Sequence, residues 1–188
     1  MSGEREVRQL QKAKEKSQQR GADAAELAAI CNQLGEILAS HGRYEEALAE
    51  HREELRLLEE VGDGIGCAVA HRKIGERLAE MELYEAALEH QHRHLDLARA
   101  LGDDTEQQRA WATIGRTHMF AADSRAGAEA EEELREAERA FGTSLQILDQ
   151  RLEGQGCPSP PCVPVSPMCP RIPSVCPHVP SMCPRVTY

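Results

Sequence analysis

Three histidines alternate in His90-x-His92-x-His94. His90 and His94 stand four residues apart, the spacing at which two imidazoles can share a metal ion from one helix face. Two nitrogens leave a tetrahedral shell half filled. The spacing places no third ligand and the nearest cysteines are remote, so neither a metal site nor a cofactor is expected. The run Gly62-Asp63-Gly64-Ile65-Gly66 has the glycine density of a phosphate loop. It lacks the preceding strand and the Gly-Lys-Ser/Thr ending, and reads as a turn. Cys31 and Cys67 fall inside apolar helical patterns, where a thiol packs rather than attacks. The sequence holds no nucleophile elbow, zinc-protease helix or kinase signature. Its many glutamates read as solvating charge on helix faces. An enzyme is not expected.

The chain has 188 residues, 22 Lys plus Arg, 32 Asp plus Glu and a formal net charge of −10. Acidic sequences without a basic cluster bind phosphate backbones poorly, so no direct nucleic-acid binding is expected. No run approaches the roughly 18–20 apolar residues of a membrane span. The N-terminus is charged from Glu4 and has no apolar core, which points away from secretion. All ten prolines lie between Pro158 and Pro184, while every acidic residue lies at or before Glu153. Residues 154–188 therefore read as a disordered Pro/Cys-rich tail. Its units Val165–Arg171, Ile172–His178 and Val179–Arg185 are near-copies that set Cys162, Cys169, Cys176 and Cys183 seven apart. That spacing suits neither zinc ligation nor, in a reducing compartment, a disulfide framework. The expected origin is a short tandem repeat translated through an alternative splice or retained intron. A Pro-rich ligand segment is the other reading.

The first 153 residues repeat. Residues 28–67 laid over 68–107 give 13 identities, among them Gly35/Gly75, Tyr44/Tyr84, Ala47/Ala87, Leu55/Leu95 and Gly62-Asp63/Gly102-Asp103. Ile114-Gly115 opens a third copy in register. Its second half, with Ala137, Phe141 and Leu145, is displaced by about ten residues after an insertion around Ala121–Gly127. A fixed period of this size predicts an all-α solenoid of helix pairs. First helices are expected near Ala22–Ser40, Gly66–Glu80 and Thr105–Phe120, and second helices near Tyr44–Val61, Tyr84–Leu101 and Ala128–Arg151. A capping helix near Glu4–Gln19 precedes them, with Val7 and Leu10 on its apolar face. The expected units are a cap over 1–21 and repeats over 22–62, 63–102 and 103–153. Glycine inside a helix costs about 1 kcal/mol relative to alanine. The recurrence of Gly35, Gly75 and Gly115 at one phase therefore points to close helix crossings, with Ala47, Ala87 and Ala137 on the other side.

The pattern resembles the tetratricopeptide repeat, most clearly in Trp111 with Ile114-Gly115 and in Gly42-x-Tyr44-x-x-Ala47. His51 and Gln91 stand where that family has an aromatic residue, and the period of 40 exceeds its usual 34. Long repeats with a Gly-Asp junction resemble those of LGN-like spindle and motor adaptors. The resemblance implies a concave groove lined by the first helix of each pair. The motif phase puts Asn32, Glu36, Arg72, Lys73, Glu76, Arg109 and Arg116 there. Amides can hold a peptide backbone and arginines can grip carboxylates with paired hydrogen bonds. An acidic or mixed-charge peptide is the expected ligand. The plain alternative is a solvated face with Arg–Glu pairs four apart, such as Arg72 and Glu76.

A closer resemblance covers residues 4–153. The runs Gly66–Met81 and Arg109–His118, with Arg8-Gln9-Leu10 and His41-Gly42-Arg43-Tyr44, are similar to the N-terminal repeats of the Tonsoku-like family. It implies a nuclear and chromosomal scaffold for homologous recombination at replication forks and double-strand breaks, with the cytoplasm as a second location. The family's histone-binding ankyrin repeats have no counterpart here, so a truncated form is expected. Protein partners through the groove are expected, as is self-association through the exposed face of the last repeat.

Overall fold

The structure is a computed structural model and describes residues 2–154. The Pro/Cys-rich tail and its near-copies lie outside the described residues. Seven helices follow one another: α1 (Ser2–Gln19), α2 (Ala24–Ser40), α3 (Tyr44–Val61), α4 (Gly64–Glu80), α5 (Tyr84–Ala100), α6 (Asp104–Asp123) and α7 (Ala128–Gly154). Each packs on the next, and α4 also meets α6. This is an all-α tetratricopeptide-type solenoid of three helix pairs preceded by α1.

Recurrent end signals set the helix boundaries. Asp23, Asp63 and Asp103 each precede the first helix of a pair, and their carboxylates accept backbone N–H groups of Glu26, Gly66, and Thr105 with Glu106 at 2.8–3.0 Å. A side-chain cap of this kind satisfies donors that the first turn leaves unpaired. Gly62 and Gly102 end or follow the second helices with φ of +73° and +67°. Gly42 takes the same left-handed conformation between α2 and α3, at φ +72°. One period later, Glu82 occupies that turn at φ +61°. A side chain there costs about 1 kcal/mol relative to glycine.

The core runs through the helix pairs and between them. Val7 of α1 is buried with Leu34, Leu38 and Ala47, so the cap shares the first core cluster. Leu48 joins Ile74, Leu78 and Ala87 across the first repeat junction. Leu95 joins Ala110, Ile114 and Ala140 across the second.

The helical glycines mark the tightest crossings. A methyl group on Gly35 would lie 2.6 Å from the His51 ring, one on Gly75 2.8 Å from Gln91 Cγ, and one on Gly115 3.0 Å from the Phe141 ring. Ala47, Ala87 and Ala137 are 0%, 0% and 2% exposed one helical turn before those three residues. Thus the position that is aromatic in the family's motif faces the glycine, filled here by His51, Gln91 and Phe141. The insertion is mostly helical. α6 has 20 residues against 17 in α2 and α4, and α7 has 27. The added length lies at the end of α6 and at both ends of α7, and Phe141 restores the register.

Candidate functional site

α4 and α6 run side by side, with α5 between them in the chain. Helical spacing puts Arg72, Glu76 and Glu80 on one face of α4, and Arg109, Thr113, Arg116 and Phe120 on one face of α6. These faces line three adjoining cavities. The first, about 380 Å³, is bounded by Arg72, Glu76, Arg109 and Arg116. The second, about 280 Å³, shares Glu76 and Arg116 and reaches down to Gln91 and Thr117, with Phe120 as a wall. The third, about 480 Å³, shares Glu80 and Phe120 and adds Tyr44, Tyr84, Glu82 and Asp123. Because neighbours share lining residues, they form one trough along α4 and α6.

Ion pairs hold most of its charges. Arg72 Nη1 donates to Glu76 Oε1 at 3.0 Å, and Arg77 lies 3.0 Å from Glu80 and 3.7 Å from Glu76. Arg109 Nη1 donates to Glu106 Oε1 at 2.6 Å. The other Glu106 oxygen lies 2.9 Å from Nε2 of the fully buried His94. Arg116 is exposed and forms no ion pair among the described residues. Partial burial pushes the Glu80 carboxyl above its usual range against the pull of Arg77.

Four of the seven expected groove residues, Arg72, Glu76, Arg109 and Arg116, come together in the first cavity. Asn32 and Glu36 line a different cleft, between α1 and α2, with Glu6, Leu10 and Ile37. Lys73 differs from the expectation. It is 8% exposed, and its ammonium donates to Asn32 Oδ1 at 2.5 Å and to Glu54 Oε1 at 3.3 Å. The other Glu54 oxygen lies 2.8 Å from His51 Nδ1. Lys73 is adjacent to Arg72 in sequence but about 100° around the helix, which turns it toward α3 and away from the trough.

Gln91, Thr117, Phe120 and Tyr84 line the trough although the motif phase of the first helices does not select them. Gln91 and Tyr84 come from α5. Phe120 lies where α6 begins its extra length, and its exposure of 41% is unusual for an aromatic side chain. The sequence shows only that Phe120 stands four residues after Arg116, in the same helical phase; its exposure depends on how far α6 extends.

The histidines separate rather than gather. His90 Nδ1 lies 2.9 Å from His71 Nδ1 of α4, while His94 turns to Glu106. Burial, reinforced by His90, holds the His71 pKa down at about 4. Among the described residues no three His, Cys, Asp or Glu side chains are grouped to hold a metal ion. Cys31 is fully buried beside Ala28 and Leu57, and burial raises its pKa to about 11. Burial also raises the Cys67 thiol. Gly64 opens α4, so the glycine-rich run is the junction between repeats. Among the described residues no helix is long and apolar enough to cross a membrane.

No protein-family model matches the chain. Tonsoku-like protein from Bos taurus is 60% identical over 154 residues, 82% of this chain and 11% of that protein. Tonsoku-like protein from Mus musculus is 58% identical over 154 residues, with the same coverage. The Danio rerio protein of that name is 55% identical over 158 residues, 84% of this chain and 11% of its own. The helical region is homologous to the N-terminal repeat region of Tonsoku-like proteins. The chain spans about one tenth of the length of these Tonsoku-like relatives. Among solved structures, the crystal structure of BtubC (BKLC) from P. vanneervenii superposes with a TM-score of 0.69. That match covers 90% of this chain and 65% of the other at 16% identity, and therefore speaks to fold alone.

Proposed function

We propose that this chain is a non-enzymatic protein–protein interaction scaffold, and that the trough between α4 and α6 is its working surface. The units that build it are a cap over residues 1–21 and repeats over 22–62, 63–102 and 103–153. The observation that carries the reading is the exposed Arg116, which stands without an ion pair among the described residues beside Arg72, Arg109 and the Phe120 ring. A guanidinium in such a trough suits a peptide carboxylate, which it can hold through two parallel hydrogen bonds. The homology to Tonsoku-like proteins supports a place in the replication-fork and double-strand-break repair machinery, in homologous recombination, in the nucleus and on chromosomes.

Capture from nuclear extract on the immobilised full chain, read by quantitative mass spectrometry, tests this. Replication and repair proteins enriched over a bead control are the expected result. Enrichment of spindle or motor proteins instead would favour the LGN-like adaptor reading, which the Gly-Asp junctions at Gly62-Asp63 and Gly102-Asp103 support.

A further inference from the structure

We propose that the trough is polarised and takes an extended peptide in one direction. A carboxylate side chain lies at the Arg109–Arg116 end, a peptide N–H over Gln91, and a lysine or arginine at the Phe120–Asp123 end. This rests on the reading of the trough as a peptide site.

The charges divide along its length. The lining of the first cavity has three arginines against the single carboxylate of Glu76; Arg72 is paired with Glu76 and Arg109 with the nearby Glu106, which leaves Arg116 as the unpaired cation among the described residues. The third has Glu80, Glu82 and Asp123 and no cation in its lining; the nearby Arg77 is engaged with Glu80 and Glu76. Glu80 and Asp123 are the last residues of α4 and α6. The negative ends of two helix dipoles add to the potential at that end. Phe120 and the half-buried Tyr44 and Tyr84 line the same cavity. Aromatic faces beside carboxylates suit a cationic side chain with an aliphatic stem.

The middle cavity supplies an independent observation. Gln91 is 1% exposed, and its Nε2 donates to Thr117 Oγ1 at 2.7 Å, which leaves Oε1 without a hydrogen-bond partner. A buried amide oxygen without a donor is unfavourable, and one that lines a cavity can be satisfied by a ligand N–H. A uniformly acidic peptide would set a carboxylate against Glu80, Glu82 and Asp123. A uniformly basic one would meet the three arginines. Only a peptide with both charges in order satisfies the whole trough.

The test is selection of a phage-displayed random heptapeptide library on the full 188-residue chain. Selected sequences are resynthesised with a fluorescent label and titrated by anisotropy against wild type, Arg116→Glu and Asp123→Lys. Circular dichroism confirms that each variant keeps its helices. The expected peptides carry an acidic residue toward one end and Lys or Arg toward the other, always in the same order. Each variant weakens them about tenfold. Replacing the peptide's basic residue by Glu restores binding to Asp123→Lys. Selected peptides of uniform charge, weakened by Arg116→Glu but not by Asp123→Lys, would overturn the polarity and leave the peptide-site reading standing. Failure to select any peptide, or binding indifferent to both substitutions, would overturn both.

Discussion

Leu95 and Leu145 hold the same place in successive repeats and meet opposite surroundings. Leu95 is 2% exposed, packed by α5 against Ala110 and Ile114 of α6. Leu145 on α7 is 60% exposed, and Leu134 and Leu152, at 53% and 70%, lie on the same helical face. Their separations of 11 and 18 residues are close to whole turns. Among the described residues nothing covers this stripe.

An open leucine stripe favours self-association. Sedimentation velocity of the full chain under reducing conditions is expected to show a concentration-dependent increase in mass. Leu145→Glu suppresses it without lowering the melting temperature, because the side chain is already in solvent. Leu95→Ala leaves the association in place and costs about 2–5 kcal/mol of stability. A Leu145→Glu variant that associates as the wild type does would show that another surface mediates assembly.

The helical glycines make a graded prediction. Alanine at any of them gains about 1 kcal/mol of helix propensity. At Gly75 the new methyl group would also lie 3.1 Å from the Ala87 carbonyl, which is backbone and cannot swing aside. At Gly115 its three nearest atoms would all belong to the half-buried Phe141 ring, at 3.0 Å. Gly75→Ala is therefore expected to destabilise by about 1–3 kcal/mol in urea unfolding, and Gly115→Ala by less. Equal stabilisation by both would remove the steric account.

Lys73 joins two repeats through buried charge. Removing one partner of such a pair strands the other, typically at a cost of about 3–5 kcal/mol. Lys73→Met is expected to approach that loss. Lys73→Met combined with Glu54→Leu is expected to be milder than the sum of the single changes, because no buried charge is left alone. Strict additivity in the unfolding midpoints would deny the coupling.

The 40-residue recurrence of glycines and Gly-Asp junctions made the helix pairs legible in the sequence, because these residues have stated causes: a left-handed turn, an N-cap or a close crossing. The meeting of Arg72, Glu76, Arg109 and Arg116 followed from the same phase. Lys73 did not, since adjacent helical positions point in different directions and only the packed position of α3 decides which one is buried. Gln91 and Phe120 were hidden for a related reason. The trough's floor and wall depend on how deeply α5 sits and how far α6 extends, and neither is a local property of the chain.

His71 and His90 predict a pH dependence. The His71 pKa in the native state is about 4 against an ordinary 6.5, and burial lowers that of His90 as well. The unfolded chain thus takes up protons near pH 6.5 while the native state refuses them until about pH 4. Stability is full above that window and falls as the pH drops through it. His71→Asn should flatten the decline in melting temperature between about pH 6.5 and 5, above the range where most carboxylates titrate. An identical slope in wild type and variant would assign the acid sensitivity to other groups.

The central claim is that the α4–α6 trough is the surface through which this chain holds its partners. Its most direct test is capture from nuclear extract on two immobilised full-length baits, wild type and Arg72→Glu/Arg116→Glu, matched for helicity and melting temperature. The account predicts that replication and repair proteins are retained by the wild type and depleted about tenfold or more on the double variant. Equal recovery of the same partners on both baits would contradict it.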